Sequence, residues 1–214
     1  MYKIAILVPV YYHDEEVATC LMQLMRSNYN NIQPTLYIPI TGIRESFNKS
    51  FLANYIASYS KRSEVAIDPV FDDIIPIYDN STFDPTIMMN DIVESNDTFD
   101  YVAIVEPLIS FESLNWLSDL LNIHIEYDYK RKLGAICTNN KSHKLKTSDN
   151  IRWFVDDWII IRSLNGDGFG NGVMLTRPVE WKLVGGLKSK DYTNTYAISC
   201  FRKNHLVVYA EGVR

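Results

Sequence analysis

The chain has 214 residues, 47% hydrophobic and 22% charged, with a net charge of −5. That length supports one generous domain, and the acidic balance argues against a broad duplex-DNA footprint, which needs a basic face. Cys20, Cys137 and Cys200 are widely spaced without a CxxC, which disfavours zinc and disulfides and fits a reduced, cytoplasmic setting.

Lys3–Val10 is a continuous apolar run and reads as a buried strand, not a secretory leader, because Tyr11 through Glu16 follow with no small-residue cleavage site. Pro9 cannot donate to a ladder, so pairing should stop there. Asp14 then caps a helix carrying Val17, Leu21, Leu24 and Met25, which frays at 28–31. Thr35–Ile40 is a second strand, turned by Thr41-Gly42, and a helix runs from about 45 to 60. Asp73–Tyr78 is a third strand ending at Asp79-Asn80. Asp84-Pro85 opens a helix with proline at its first position and Met88, Met89, Ile92 and Val93 on its buried stripe.

Asp100–Glu106 follows, with five apolar residues between an acid at each end, and reads as a strand buried on both faces. A helix from about Ser113 carries Leu114, Trp116, Leu117, Leu120, Leu121 and Ile125. Leu133–Cys137 is a fifth strand. The alternation of strands and helices predicts a parallel sheet with helices on both faces.

Beyond Cys137 the pattern changes. Residues 138–150 are polar, with Lys141, His143, Lys144 and Lys146, and read as a mobile loop. Ile151–Arg162 holds one strand around Trp158–Ile161. A glycine-rich loop spans 165–172, then come a strand at Val173–Thr176, a short helix at Pro178–Val184 closed by Gly185-Gly186, a helix over Tyr192–Lys203 and a strand at Leu206–Tyr209. No repeat or linker divides the chain.

Parallel strands deliver their carboxyl ends to one edge. Tyr11 and Tyr12, Thr41, Asp79 and Glu106 should therefore meet there, and aromatic, small and acidic groups together suit a nucleotide. There is no GxGxxG after the first strand, no GxxxxGK[ST] and no GxSxG, so dinucleotide oxidoreductases, P-loop NTPases and α/β-hydrolases are poor candidates.

Four stretches carry a resemblance. Val8-Pro9-Val10-Tyr11 is similar to the opening strand of the family 2 glycosyltransferases of the GT-A fold. Asn90 through Glu106 looks like their helix Asn followed by the strand that ends at the metal-binding acids. Gly172–Arg177, Trp181 and Val184-Gly185-Gly186-Leu187 look like their acceptor-side segment, and Phe201-Arg202 with Leu206–Tyr209 like the closing helix and strand.

The resemblance implies an α/β, mostly parallel, Rossmann-related nucleotide-binding sheet flanked by helices. Residues 1–137 would form the nucleotide-sugar half and 138–214 the acceptor-side half of one GT-A-like domain. It implies sugar transfer, with inversion, from a nucleotide sugar (a UDP-sugar foremost) to an acceptor hydroxyl on a glycan or, less in keeping with the charge, on modified DNA. Pro9, Tyr11, Tyr12, Thr41, Asp79 and Glu106 would hold the donor. Glu106 would also ligate Mn²⁺ or Mg²⁺, with Glu112 and Asp79 as supporting acids and His205 as a further ligand.

Asp191 would be the base, with Asp167 and Asp156-Asp157 as fallbacks, and a helix N-cap is its structural alternative. Lys141, Lys144 and Lys146 could close over the diphosphate. The family has Asp-x-Asp where this chain has Glu106-Pro107-Leu108, and Leu108 supplies no ligand. A binding module that keeps the fold without catalysis is therefore the competing reading.

Overall fold

A computed structural model describes residues 1–10, 14–41, 54, 71, 73–79, 84–107, 109–111, 113–128, 132–138, 153–155, 159–161, 172–188, 196, 199–200, 202–203 and 205–210. The strands are β1 (Tyr2–Leu7), β2 (Ile32–Thr41), β3 (Asp73–Asp79), β4 (Tyr101–Val105), β5 (Leu133–Cys137), β6 (Trp153–Val155), β7 (Ile159–Ile161), β8 (Val173–Thr176) and β9 (Leu206–Tyr209). The helices are α1 (Asp14–Arg26), α2 (Thr86–Glu94), α3 (Trp116–Asp128) and α4 (Pro178–Val184). Tyr196, Ser199, Cys200 and Arg202 are also helical, inside the stretch expected to form the last helix. The expected helix over 45–60 lies outside the described residues apart from Asn54.

Seven strands form one sheet in the order β3-β2-β1-β4-β8-β5-β9. The sheet is mostly parallel, as expected, with one reversed strand: β8 enters between β4 and β5 and runs antiparallel to both. The expected single strand near Trp158–Ile161 is instead a pair, β6 and β7, antiparallel to each other in a separate two-stranded sheet.

The sheet is buried on both faces, which explains the unbroken apolar runs. On β1, Ile4, Ile6 and Val8 turn to the face covered by α1 and α3, where Val17, Leu21, Leu24, Trp116 and Leu120 pack. Ala5 and Leu7 turn to the face of Met89, Ile92, Val93, Trp181 and Tyr196. The alternation repeats on β4, with Tyr101, Ala103 and Val105 facing α1 and α3 and Val102 and Ile104 facing α2 and α4. The apolar stripe of α3 also differs from its reading. Leu114 and Ile125 are exposed, and His124 is buried in place of Ile125, its ring edge-on to Tyr101 at 5.1 Å. No helix among the described residues is long and apolar enough to cross a membrane.

Pro85 opens α2 as expected. It has helical dihedrals, its carbonyl accepts from Met89 N at 2.9 Å, and Asp84 Oδ1 caps Thr86 N at 3.0 Å. The Asn90 side chain then ties α2 to the turn after α4. Its Nδ2 donates to the Leu187 carbonyl (2.9 Å), and its Oδ1 accepts from Leu187 N (2.8 Å) and Trp181 Nε1 (3.1 Å). Gly186 is obligatory in that turn. Its φ is +65°, and a Cβ there would lie 2.4 Å from Asn90 Oδ1. Gly185, at φ +80°, has open space around it, with Lys188 Cε 3.9 Å away. Urea unfolding should therefore separate the two: Gly185→Ala should cost about 1 kcal/mol of backbone strain. Gly186→Ala should cost at least about 2 kcal/mol, because it also breaks the Asn90 lock. Equal losses would contradict the role given to Asn90.

Candidate functional site: a crevice at the ends of β1 and β4

Val8 N and Val10 N donate to the Tyr37 and Pro39 carbonyls of β2, at 3.0 and 2.8 Å. Pro9, one residue out of phase, therefore faces β4 and has no N–H to give it. The β1–β4 register ends at Leu7↔Ile104. Two residues on, the Glu106 N–H faces β8, in phase with Val102 and Ile104, and donates to the Gly172 carbonyl at 3.0 Å, at the entry to β8. Pairing between β1 and β4 thus stops at one gap. The gap lies between β1, whose following helix α1 covers one face, and β4, whose preceding helix α2 covers the other. That is the switch-point crevice in which open α/β sheets bind ligands.

Glu106 stands at this crevice with 8% exposure, its carbonyl accepting from Ile109 N at 3.0 Å. No described residue donates to its carboxylate or pairs with it. Burial alone pushes its pKa to about 7. Its charge is felt at Cys20 of α1, whose thiol is raised to about 12, by burial first and by Glu106 second.

Across β1, Thr41 N donates to the Val10 carbonyl (3.2 Å), and Thr41 pairs in register with Asp79. The Thr41 hydroxyl is buried and without a partner among the described residues. The edge thus reads Asp79, Thr41, Val10, Glu106 from β3 to β4. Strands lie ~4.8 Å apart, so three steps put Asp79 roughly 14 Å from Glu106, too far to share one cation with it.

Thr138, which the sequence reading passed over, closes the other side. Its N–H donates to the Val173 carbonyl (2.8 Å), and its hydroxyl accepts from Val173 N (3.3 Å). A lone Thr beginning a polar loop carries no signal for that.

The structure moves one expected residue away from this edge. His205 precedes β9, whose Leu206 pairs with Leu133 at the start of β5. β5 runs parallel to β4, because both are antiparallel to β8. His205 therefore lies at the opposite edge from Glu106 and is no ligand partner for it. Arg177, at the far end of β8, is also remote. It forks onto Asp128 (2.8 and 3.3 Å) and onto Glu180, binding α3 to α4. Tyr11, Tyr12, Leu108, Glu112, Lys141, His143, Lys144, Lys146, Asp156, Asp157, Asp167 and Asp191 lie outside the described residues. A groove of about 640 Å³, lined by Tyr37, Ile77, Met88, Asp91, Ile92 and Asn96, opens elsewhere, on the α2 face.

No group of three or more His, Cys, Asp or Glu gathers to hold a metal among the described residues. Mg²⁺ and similar ions, however, take one or two carboxylates with substrate phosphates and water. A buried carboxylate with no cation beside it among the described residues fits that chemistry, and Glu106 would be the ligand.

Glu106 and His124 give opposite pH dependences. The raised Glu106 pKa makes the folded state hold a proton that the unfolded state releases between pH 4.5 and about 7, so stability falls as pH rises through that window. His124 is depressed to about 4, by burial first and Arg177 second. Its contribution is lost as pH falls from 6.5 towards 4. Each shift corresponds to about 3 kcal/mol at full extent. Denaturant titrations in EDTA should show near-flat stability from pH 4.5 to 6.5. Glu106→Gln should expose an acid-side loss and His124→Leu a loss towards neutral pH. Variants running parallel to the wild type would contradict both assignments.

No family model and no curated protein matches the sequence. Solved structures do. S. aureus TarS 1-349, also solved with UDP-GlcNAc, aligns over 98% of this chain at 10% identity and a TM-score of 0.61. The mannosyltransferase PcManGT from Pyrobaculum calidifontis, in complex with GDP-Man and Mn²⁺, aligns over 97% at 9% identity and 0.62. This chain spans 58% and 54% of those two. An apo UDP-glucose pyrophosphorylase aligns over 99% of this chain and 90% of its own length, at 11% identity and 0.54. Identities this low carry the fold alone, and the sheet order, the antiparallel β8 and these neighbours together give the chain the GT-A fold.

Proposed function

We propose that the protein transfers a sugar from a nucleotide sugar, a UDP-sugar foremost, to an acceptor hydroxyl. The donor diphosphate would lie in the crevice between β1 and β4. The observation that carries this reading is Glu106, a buried carboxylate at the end of the central strand with no partner among the described residues. TarS with UDP-GlcNAc and PcManGT with GDP-Man and Mn²⁺ support it as fold neighbours. In this reading Thr41 and Asp79 meet the nucleoside, Pro9 keeps the crevice open, and Tyr11 or Tyr12 stacks on the base. Residues 1–137 serve the donor and 138–214 the acceptor, a glycan before DNA.

The acceptor oxygen would bond to the anomeric carbon as the bond to the diphosphate breaks, inverting that centre. Asp191 would take the acceptor's proton. Mn²⁺ or Mg²⁺, held by Glu106 and the diphosphate, would offset the charge left on the leaving group. Burial makes that ion pair stronger than it would be in water.

Isothermal titration with UDP-, GDP- and CDP-sugars, with and without Mn²⁺, tests this reading. One donor should bind, Mn²⁺ should tighten it, and Glu106→Ala should weaken the Mn²⁺-dependent binding by about tenfold or more. Binding of none would count strongly against the reading. Asp191→Ala should abolish transfer and spare donor binding, whereas wild-type binding without any transfer would favour the non-catalytic module. A second reading, nucleotidyl transfer, draws on the length match with the UDP-glucose pyrophosphorylase. Release of pyrophosphate instead of a nucleoside diphosphate would select it.

A further inference from the structure

Glu106 has no side-chain tether among the described residues, and its backbone is held on two sides. On one side its N–H is fixed to Gly172 of the β8 entry at 3.0 Å. On the other, the chain between β4 and α3 is fastened to α1. Phe111 N donates to Gln23 Oε1 at 3.0 Å, across 88 positions of sequence. The Phe111 ring stacks on Trp116, centroids 4.5 Å apart and planes 23° from parallel. Trp116 Nε1 donates to Ser27 Oγ (3.0 Å), and Ser27 Oγ donates to the Gln23 carbonyl (2.9 Å). The network closes on Gln23, which holds Phe111 through its side chain and Ser27 through its backbone. Asn28 anchors the outer end, its N–H on the Leu114 carbonyl (2.7 Å) and its Nδ2 on Asn115 Oδ1 (3.0 Å).

We propose that Gln23 is a positioning residue for Glu106, acting through Phe111 and the turn closed by Ile109. The inference rests on the reading of Glu106 as a ligand of cation and diphosphate. Glutamine suits the task because it reaches from the helix and supplies an uncharged acceptor to a half-buried backbone N–H. Without it, Phe111 N loses its acceptor, and the stack on Trp116 and the Gly172 bond are left to hold the Glu106 turn. Partners that hold a metal ligand in place are worth 10–100-fold in metal affinity as a rule.

The test compares Gln23→Met, which keeps the volume and loses the acceptor, with Gln23→Glu, which keeps the acceptor. Amide exchange in the free protein reads the tether without any ligand. Gln23→Met should cut protection at Glu106 through Phe111 by about tenfold or more and leave Val102 and Ala103 unchanged. Titration with Mn²⁺ plus whichever of UDP, GDP or CDP the wild type binds then reads the consequence. Gln23→Met should lose about tenfold of the Mn²⁺-dependent affinity while metal-free nucleotide binding stays the same, and Gln23→Glu should restore it.

Ser27→Ala, which removes the Trp116 anchor and the bond to the Gln23 carbonyl but leaves the Gln23 side chain on Phe111 N, should move both readouts in the same direction by less. Unchanged protection or unchanged Mn²⁺ dependence in Gln23→Met would overturn the proposal. So would an equal loss of metal-free binding, or a failure of Gln23→Glu to restore it. If the wild type binds no nucleotide, the reading of the site fails, while the exchange data still decide the tether.

Discussion

The hydrogen bond from Glu106 N to the Gly172 carbonyl is where the architecture meets the chemistry. It joins the end of β4 to the start of β8. Because β8 runs antiparallel, Gly172, which precedes it, lies at the carboxyl edge of the parallel strands. A parallel strand in that place would have put Gly172 at the opposite edge. The Glu106 N–H is directed to β8, and Pro9 on β1 offers no N–H to β4. One crevice therefore follows from one reversed strand and one missing donor.

The crevice costs stability, and the rest of the fold offsets it. A carboxylate is held in a buried position where its charge is disfavoured. Around it the sheet is covered on both faces, with Ile4, Ile6 and Val8 on one side and Ala5 and Leu7 on the other. Asn90 and Arg177 each close an interhelix contact at a distance from the crevice. Packed layers on both faces offset the cost of a desolvated polar group at the edge. The three cysteines are buried and free, raised by desolvation beyond any thiolate role near neutral pH.

Much of this was legible in the sequence, for a physical reason. Burial on both faces leaves an unbroken apolar run, so β1, β4 and β5 could be read within a few residues, and Glu106 stood out as the acid that ends one of them. Pro9 could be read because its missing N–H does not depend on context. Strand direction could not. Val173–Thr176 has the same four residues whether it runs parallel or antiparallel, and only the tertiary pairing sets the choice. His205 was misplaced for the same reason, since the side of the sheet it occupies depends on which way β9 runs. On α3 the helical period admits either His124 or Ile125 into the stripe. Packing against Tyr101 selects His124, at the cost of two ring nitrogens without partners among the described residues.

The central claim is that the gap between Pro9 and Glu106 receives a nucleoside diphosphate with its cation. A crystal structure grown with UDP and Mn²⁺ tests it most directly. The account expects metal density beside the Glu106 carboxylate, bridging to the diphosphate, and the nucleoside extending past Val10 towards Thr41 and Asp79. Nucleotide seated instead in the groove between Tyr37 and Asn96, or metal density remote from Glu106, would contradict it.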